Sequence, residues 1–369
     1  MVLNMTTNNA LGLLISLLMI VPRLVAAVCE CGYVVDNAKQ GADPWLFTDY
    51  IESNFHQVKS IARDSDWRRQ QFNVTAESGR GEYGKAFMPG NIDIANPPKT
   101  STNGDDLMTG LELRVGSKVV NGAVPVAELD SSRNDLYYGS YRAGMKMTDV
   151  NGTCAAFFWY FNDTQEIDME FLSREFDKKT NNFPVNLVIQ SKAAEAAGFN
   201  AEGTDTFKRV NLTFDPTEGF HEYRFDFLPD RVLFYADSEL LADMGGNAIP
   251  TSSGHLILQH WSNGNVGWSG GPPTEDAVLT VSYVKAYFNT TDTKRQTSWA
   301  KRCDAAKDKA TGKCVVQGIT ASNASTGGDF LGGNNPKAGG GDGNGAVRLD
   351  QKWATIVSVL LLVLSTGLL

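Results

Sequence analysis

Hydrophobic and polar residues alternate with a period of two between residues 105 and 289, and this alternation constrains the fold more than any other feature of the chain. Aromatic and β-branched residues dominate the alternating stretches, and Gly, Pro, Asn and Asp separate them, as in short strands joined by turns. The predicted strands are 107–115, 136–147, 154–161, 166–173, 185–190, 209–214, 220–228, 232–236, 255–261 and 278–288. Helices are expected only at 48–62 and 192–197. The sequence therefore predicts an all-β protein, a β-jelly-roll sandwich.

The composition excludes several classes of protein. The chain has 369 residues, of which 42% are hydrophobic, so it can bury a large core and is not disordered over most of its length. Its net charge is −9, and no Lys/Arg run supplies the basic surface that nucleic-acid binding needs. Four scattered His residues argue against a His-rich zinc site. We expect no cofactor, no catalytic metal and a monomeric protein.

Both ends of the chain carry the marks of targeting segments. Residues 1–27 contain a short apolar run followed by small residues, which is typical of a cleaved secretory signal, with a buried first helix as the alternative. Residues 346–369 place a short polar spacer before an apolar tail, after a run of small residues, which is typical of a GPI-anchor signal. A transmembrane tail is the alternative. Between them we expect a folded domain at 28–290 and a Cys-containing segment with a Gly-rich stalk at 291–345.

The cysteines and glycosylation sequons agree with an extracellular, GPI-anchored protein. Six Asn-x-Ser/Thr sequons follow the predicted signal, at Asn73, Asn151, Asn162, Asn211, Asn289 and Asn323. Five Cys residues leave one unpaired. A bridge from Cys29 or Cys31 to Cys303 or Cys314 and a local Cys303–Cys314 loop remain open as pairings.

The segment Glu166-Ile167-Asp168-Met169-Glu170-Phe171 carries the predicted chemistry. On a strand, Glu166, Asp168 and Glu170 share one face, while the apolar residues between them face the core. Like charges aligned on one face repel and raise at least one carboxyl pKa, as a general acid near neutral pH requires. Two carboxylates flanking a glycosidic bond are the minimal equipment for glycoside hydrolysis. An exposed acidic edge is the structural alternative.

This segment, EIDMEF, resembles the active-site signature of glycoside hydrolase family 16, which includes laminarinases, lichenases and fungal chitin–glucan transglycosylases. The resemblance covers about residues 107–289 and is supported by the segments 138–141, 219–223, 261–264 and 284–287. It implies a jelly roll of the concanavalin A-like lectin/glucanase type with a sugar cleft across the concave sheet. It also implies that Glu166 is the nucleophile, Glu170 the general acid/base and Asp168 the residue that tunes both.

The resemblance also suggests residues that bind the sugar chain. These are Glu112, Arg114, Trp159, Asn186, Trp261 and Trp268. Flat aromatic faces suit the apolar faces of β-glucose rings, whereas Arg and Asn suit their hydroxyls. For each Trp, a core position is the alternative. His221 is expected to be a core histidine, and His260 faces either the cleft or the core.

Three departures from the lichenase pattern argue against lichenase-like specificity and against a structural calcium. Gln165 replaces an Asp, Leu187 and Val188 replace aromatic residues, and Ser282 replaces a calcium-binding Asp. None of these departures affects the three acids.

The sequence therefore predicts a secreted, retaining endo-β-1,3(4)-glucanase that acts on β-glucan through a covalent glycosyl-enzyme and is anchored at the cell surface or wall. A cell-wall glucan/chitin transglycosylase is the first alternative, because it differs only in which molecule attacks the intermediate. A catalytically silent glucan-binding lectin is the second, although a lectin needs none of the three acids.

The predicted GPI anchor has a direct test. Phosphatidylinositol-specific phospholipase C should release the protein from the cell surface, because it cleaves the lipid that would hold the C-terminus. The released fraction is measured by immunoblotting of supernatant and membranes. Persistence in the membrane fraction after complete digestion would instead favour a transmembrane tail.

Overall fold

The computed structural model describes residues 29–35, 44–95, 109–199, 201–306 and 312–332. The predicted signal (1–27) and anchor signal (346–369) lie outside these residues, as does the glycine-rich part of the predicted stalk. In the part of the chain that is described, no helix is both long enough and apolar enough to cross a membrane.

Within these ranges the chain is built almost entirely from strands. In chain order they are β1 (Gly32–Val35), β2 (Trp45–Phe47), β3 (Asp49–Asn54), β4 (Trp67–Arg69), β5 (Phe72–Val74), β6 (Gly84–Phe87), β7 (Ile92–Ile94), β8 (Leu111–Val115), β9 (Ala123–Ser131), β10 (Leu136–Lys146), β11 (Cys154–Asn162), β12 (Gln165–Leu172), β13 (Pro184–Gln190), β14 (Phe207–Asn211), β15 (His221–Phe227), β16 (Arg231–Ala236), β17 (Glu239–Gly245), β18 (His255–Trp261), β19 (Ala277–Thr290) and β20 (Lys313–Val316). The α-helices are α1 (Lys192–Ala196) and α2 (Thr293–Ala305), and 3-10 turns occupy Ile61–Arg63, Pro89–Asn91 and Ser173–Glu175.

Two large sheets form the sandwich. The nine-stranded sheet has the order β14-β13-β12-β11-β18-β9-β6-β5, with β4 paired to β9. The eight-stranded sheet has the order β17-β16-β15-β10-β19-β8-β7, with β3 paired to β19. A small third sheet, β2-β1-β20, joins the two ends of the described chain. The predicted all-β sandwich is therefore confirmed.

Aromatic side chains fill the space between the two large sheets. Phe157 of β11 lies 5.2 Å from Phe225 of β15, and Phe171 of β12 lies 4.6 Å from Tyr223, measured between ring centroids. Tilted and edge-on ring pairs of this kind add to the stabilisation from apolar burial. This core fixes β11 and β12, and with them the opposite face of the nine-stranded sheet.

One of the two predicted helices is wrong. Residues 48–62 form strand β3 and a 3-10 turn, because Asp49–Asn54 alternates with Ile51 and Ser53 buried and pairs antiparallel with β19. The second predicted helix is confirmed at Lys192–Ala196, where the Ser191 hydroxyl caps the first turn by accepting from the Ala194 amide.

Two long-range disulfides decide between the pairings left open by the sequence. Cys29 is bonded to Cys314 and Cys31 to Cys303, with the partners separated by 285 and 272 residues. They flank the parallel pairing of β1 with β20. The local Cys303–Cys314 loop is therefore excluded, and Cys154 is the one free cysteine.

Residues 312–332 pack against the eight-stranded sheet rather than extending from it as a stalk. The buried Lys285 ammonium donates to the Gly327 and Asp329 carbonyls at 2.5 and 2.6 Å. The Ser282 hydroxyl, at the position where the resemblance would place a calcium-binding Asp, donates to the Ala324 carbonyl at 3.3 Å. This segment thus extends the folded domain beyond the predicted boundary at residue 290.

Breaking one disulfide should destabilise the whole sandwich, because each bridge joins residues from the two ends of the described chain. The double variant Cys31→Ser/Cys303→Ser should lose about 2–4 kcal/mol of unfolding free energy, the usual range for a disulfide. Urea unfolding followed by tryptophan fluorescence measures this loss. Wild-type protein treated with dithiothreitol is the control and should lose at least as much. An unchanged midpoint in the variant would contradict the structural role of this bridge.

Candidate active site

Strand β12 places three acids on one face of the nine-stranded sheet. Ile167, Met169 and Phe171 alternate with them and are at most 1% exposed in the core. Glu166, Asp168 and Glu170 therefore point to the opposite side, which we call the acid face. Asp168 is 4% exposed, and Glu166 and Glu170 are partly exposed.

Strand pairing extends the acid face across five strands. Residues opposite one another in antiparallel strands point to the same side, so the register defines three rows. The row through Glu170 contains Asn186, Glu170, Ala156, Gln259 and Glu128. The row through Asp168 contains Val188, Asp168, Phe158, Ile257 and Asp130. The row through Glu166 contains Gln190, Glu166, Tyr160 and His255.

The rows combine acids with apolar surface. Ala156, Phe158 and Ile257 form a small buried cluster against which Tyr160 packs. This cluster lies between the acids of β12 and those of β9, namely Glu128 and Asp130. An apolar strip with carboxylates on both sides suits a sugar ring, whose faces are apolar and whose edge carries hydroxyls.

Burial raises the pKa of all three carboxyls on β12. Burial raises the pKa of Glu166 to about 7, opposed by its hydrogen bond with Asp168. The pKa of Asp168 is raised well above its usual value, first by burial and then by the neighbouring Glu166. Burial and the neighbouring Glu166 thus favour the protonated form of Asp168, which can donate a hydrogen bond to the Glu166 carboxylate.

Glu170 is held at one of its two oxygens. Its Oε1 accepts from the Trp268 indole at 3.3 Å and from the Cys154 thiol at 3.4 Å. Burial raises the pKa of Glu170, whereas these two donors and the Lys85 charge oppose that rise. Because both donors contact Oε1, the other oxygen of Glu170 is left to exchange a proton with a ligand.

The loop that carries Trp268 is fixed from the end of β12. Arg174, in the 3-10 turn directly after this strand, donates to the carbonyls of Gly267 and Trp268. The Trp268 indole is therefore positioned by the same element that presents Glu170.

Two further predicted binding residues also lie on the acid face. Asn186 neighbours Glu170, is fully buried, and its Oδ1 accepts from Arg209 at 3.0 Å. Its Nδ2 has no hydrogen-bond partner among the described residues. Trp261 lies at the end of β18, and the Lys85 ammonium sits 4.5 Å from its ring centroid. One face of this ring is thus occupied by a cation.

Glu112 and Arg114 do not belong to this face. They lie on β8 in the eight-stranded sheet, pair with each other, and point away from the core, which holds Leu111 and Leu113. The predicted role of these two residues in the cleft is therefore wrong. Alternation along the strand shows that their side chains point away from the core, but it does not show to which of the two sheets the strand belongs.

Trp159 is also misplaced in the prediction. It pairs with Ile167 on the core side, is fully buried, and donates its indole N–H to the Leu136 carbonyl at 3.1 Å. It is a core residue and does not bind a ligand at the acid face.

His260 likewise lies in the core, with its ring nitrogens bonded to the Leu113 carbonyl and the Thr153 hydroxyl. His221 is partnered by Asp237 at 2.6 Å, as expected for a satisfied core histidine.

The acid face also contains a second pair of acids, which was not predicted. Glu128 and Asp130 have the same i, i+2 spacing as the acids of β12, which is a signal present in the sequence. Glu128 bonds the Gln259 amide, and Asp130 lies 3.8 Å from the His255 ring. Burial raises the pKa of Asp130 to about 8. Lys85 and Cys154, the other missed residues, carry no such signal.

Among the described residues, no three His, Cys, Asp or Glu side chains are grouped so that they could hold a metal ion. The three acids of β12 lie along one strand face, with Asp168 between the two glutamates. This arrangement suits proton and covalent chemistry by the carboxyls themselves.

A protein family and several known proteins are similar to this chain in sequence. The sequence profile of the family described as "Glycosyl hydrolases family 16" matches residues 99–285. A β-glucanase of Paenibacillus macerans is 32% identical over 238 residues, which cover 61% of this chain and 88% of that protein. A β-glucanase of Bacillus subtilis (strain 168) is 32% identical over 139 residues, which cover 36% of this chain and 51% of that protein. For this second relative, the match spans about half of its length.

Solved structures of β-glucanases are also similar to this chain. A β-1,3-1,4-glucanase (lichenase) derived from a mouse hindgut metagenome has a TM-score of 0.47 at 20% identity, covering 65% of this chain and 98% of that one. The endo-β-1,3-glucanase of Pyrococcus furiosus has a TM-score of 0.49 at 15% identity, covering 66% of this chain and 95% of that one. The profile covers half of the chain, from before β8 into β19, and includes β12 with its three acids, and so this chain belongs to family 16 of the glycosyl hydrolases.

Proposed function

We propose that this protein is a retaining endo-β-glucanase that hydrolyses β-1,3- or mixed β-1,3/1,4-glucan. The observation that carries the proposal is the pair Glu166 and Glu170 on one strand face, with Asp168 between them and one oxygen of Glu170 held by two donors. The β-glucanase relatives support the substrate class.

Glu166 acts as the nucleophile in this proposal. Its carboxylate attacks the anomeric carbon, the glycosidic bond breaks, and a glycosyl-enzyme ester forms. The proton that Asp168 shares with Glu166 stabilises the carboxylate before the attack. As the ester forms, Glu166 loses its negative charge, and the proton stays with Asp168.

Glu170 acts as the general acid and then as the general base. It first donates its proton to the leaving glycosidic oxygen, and afterwards removes a proton from the water that cleaves the ester. Because Trp268 and Cys154 hold Oε1, the same carboxyl oxygen faces the substrate in both steps. Transfer of the glycosyl group to another sugar instead of water would be the transglycosylase reaction.

The remainder of the acid face supports binding of a sugar chain. Glu128, Gln259 and Asn186 extend the row of Glu170 across the sheet and offer groups that bond hydroxyls. Phe158 and Ile257 offer apolar surface between them. A lectin would need this binding surface but neither three aligned acids nor the doubly held Glu170 carboxyl, which supports an enzyme over a lectin.

We also propose that the protein functions in an oxidising compartment outside the cytosol. Two long-range disulfides would not persist in a reducing cytosol. The sequon residues Asn73, Asn151 and Asn211 are exposed and accessible to glycosylation. These observations support secretion, as the signal-like residues 1–27 predict.

The roles of the two glutamates can be separated by chemical rescue. Glu166→Gln should abolish turnover of every substrate, because no group remains to form the ester. Glu170→Gln should lose about 10²–10⁴-fold on β-glucan but still form the glycosyl-enzyme from a dinitrophenyl β-glycoside, whose leaving group needs no acid. Azide should then restore turnover of Glu170→Gln, because an anionic nucleophile needs no general base.

The configuration of the azide product is the decisive readout, measured by NMR. A β-glycosyl azide from Glu170→Gln means retention and supports the assignment, with Glu166→Gln as the unrescued control. An α-azide from Glu170→Gln would contradict it. If neither variant is rescued while both still bind glucan, the result would favour the lectin alternative over an enzyme. Chromatography of wild-type products distinguishes hydrolysis from transfer to sugar acceptors.

Removing the Cys154 thiol should shift the pH profile. The S–H group stabilises the Glu170 carboxylate and lowers its pKa, so Cys154→Ala should raise that pKa. Since Glu170 must be protonated to act as the acid, the alkaline limb of kcat/KM should move upward by about half a pH unit, the size expected for one weak hydrogen bond. Cys154→Ser keeps a donor and is the matched control. Equal shifts in both variants, or no shift in Cys154→Ala, would show that the thiol only fills space.

A further inference from the structure

Two loops from distant parts of the nine-stranded sheet meet each other. One loop, residues 75–83, joins β5 and β6 at one edge. The other, residues 191–199 and 201–206, lies between β13 and β14 at the opposite edge, and β12, β11, β18 and β9 lie between the two loops. Nevertheless, the Arg80 Nη1 donates to the Gly198 carbonyl at 2.9 Å, and the Arg80 guanidinium lies 5.3 Å from the centroid of the Phe199 ring. We call this contact the Arg80–Phe199 bridge.

The Arg80–Phe199 bridge lies on the acid face and not on the core side. On one side, Ala194 of helix α1 packs against Val188 and Phe207, and Val188 is the neighbour of Asp168 in its row. On the other side, the Arg80 carbonyl accepts from Asn265, in the same loop as Trp268, whose indole donates to Glu170. The bridge therefore crosses over the strands that carry the acids.

Both bridging residues adopt a backbone conformation that non-glycine residues rarely take. Arg80 has a φ of 55° and Phe199 a φ of 61°. Left-handed conformations of non-glycine residues persist only where the surroundings enforce them, and they cluster at ligand clamps and switch regions. Their occurrence in both partners of one contact indicates that each loop is shaped to make it.

The Arg80 loop is held by the loop that carries Trp268. Asn263 Nδ2 donates to the Gly79 carbonyl at 2.6 Å, and Asn265 Nδ2 donates to the Arg80 carbonyl at 3.0 Å. A Cβ at Gly81 would lie 2.3 Å from the Asn263 carbonyl oxygen, so the two backbones can approach only because residue 81 is glycine. Arg80 is thereby fixed relative to Glu170, while its outer side remains exposed.

We propose that the Arg80–Phe199 bridge makes this enzyme selective for linear, unbranched β-glucan. The inference rests on the proposed function and adds the substrate architecture. In this proposal, a single glucan chain lies along the acid face with the bridge on its outer side. A side branch beside Glu170 that points away from the sheet then meets the bridge and binds only after the bridge opens.

Binding to a variant that cannot turn over measures this selectivity. In Glu166→Gln, titration calorimetry with linear β-1,3-gluco-oligosaccharides and with the same chains carrying one β-1,6-linked glucose gives two dissociation constants. The linear chain should bind about three- to tenfold more tightly, and tenfold corresponds to about 1.4 kcal/mol. Adding Phe199→Ala should reduce this ratio to about one. Arg63→Ala, which removes an exposed arginine outside the loops, is the matched control and should keep the ratio.

The outcomes separate the bridge from the proposed function. Equal binding of linear and branched chains with the bridge intact, or an unchanged ratio after Phe199→Ala, would overturn the selectivity. Failure of the wild-type enzyme to cleave any β-glucan would instead refute the proposed function. A double-mutant cycle of Arg80→Ala and Phe199→Ala in thermal unfolding tests the contact without any glucan. Non-additive changes in Tm support the bridge, and additive changes overturn it.

Discussion

The register of β12 between β11 and β13 is the constraint on which the acid face depends. Ile167 pairs with Trp159 on one side and Ile189 on the other, and all three are buried between the sheets. A slip of one residue would turn Glu166 and Glu170 into the core and the apolar residues outward. Because such a slip would both bury carboxylates and expose Ile167, Met169 and Phe171, the sandwich core itself keeps the acids on their face.

Three carboxyl groups can lie close together on β12 because their environment favours neutral forms, which reduces the electrostatic repulsion between them. Burial raises the pKa values of Glu166, Asp168 and Glu170, which favours their neutral forms. A neutral Asp168 can donate to the Glu166 carboxylate instead of repelling it. Lys85 places a positive charge in the same region. The protonation states of the three carboxyls, on which the chemistry depends, are therefore set by burial as well as by residue type.

Local information in the sequence was enough to predict the fold class and the shared face of the three acids, because both follow from alternation along single strands. The errors arose where a position depends on pairing between distant strands. Glu128 joins the acid face only through the pairing of β9 with β18, about 130 residues away. For Trp159, the register shift between Tyr160 and Asn162 sets which side of β11 faces the acids, and no pattern within β11 reveals it. The bridge between Arg80 and Phe199 depends on two loops that share no sequence signal.

The parts of the structure that hold the acids differ from the parts that cover them. Glu166 and Glu170 stand on a central strand, paired on both sides and backed by an aromatic core, so their separation changes little without breaking the sheet. Arg80 and Phe199 stand on connecting loops in left-handed conformations, where one hydrogen bond and one ring contact hold them together. Contacts of this kind at an exposed site are worth about 1 kcal/mol, so thermal motion opens them often. A substitution in the loops can therefore alter which glucan reaches the acids without altering the arrangement of the acids themselves.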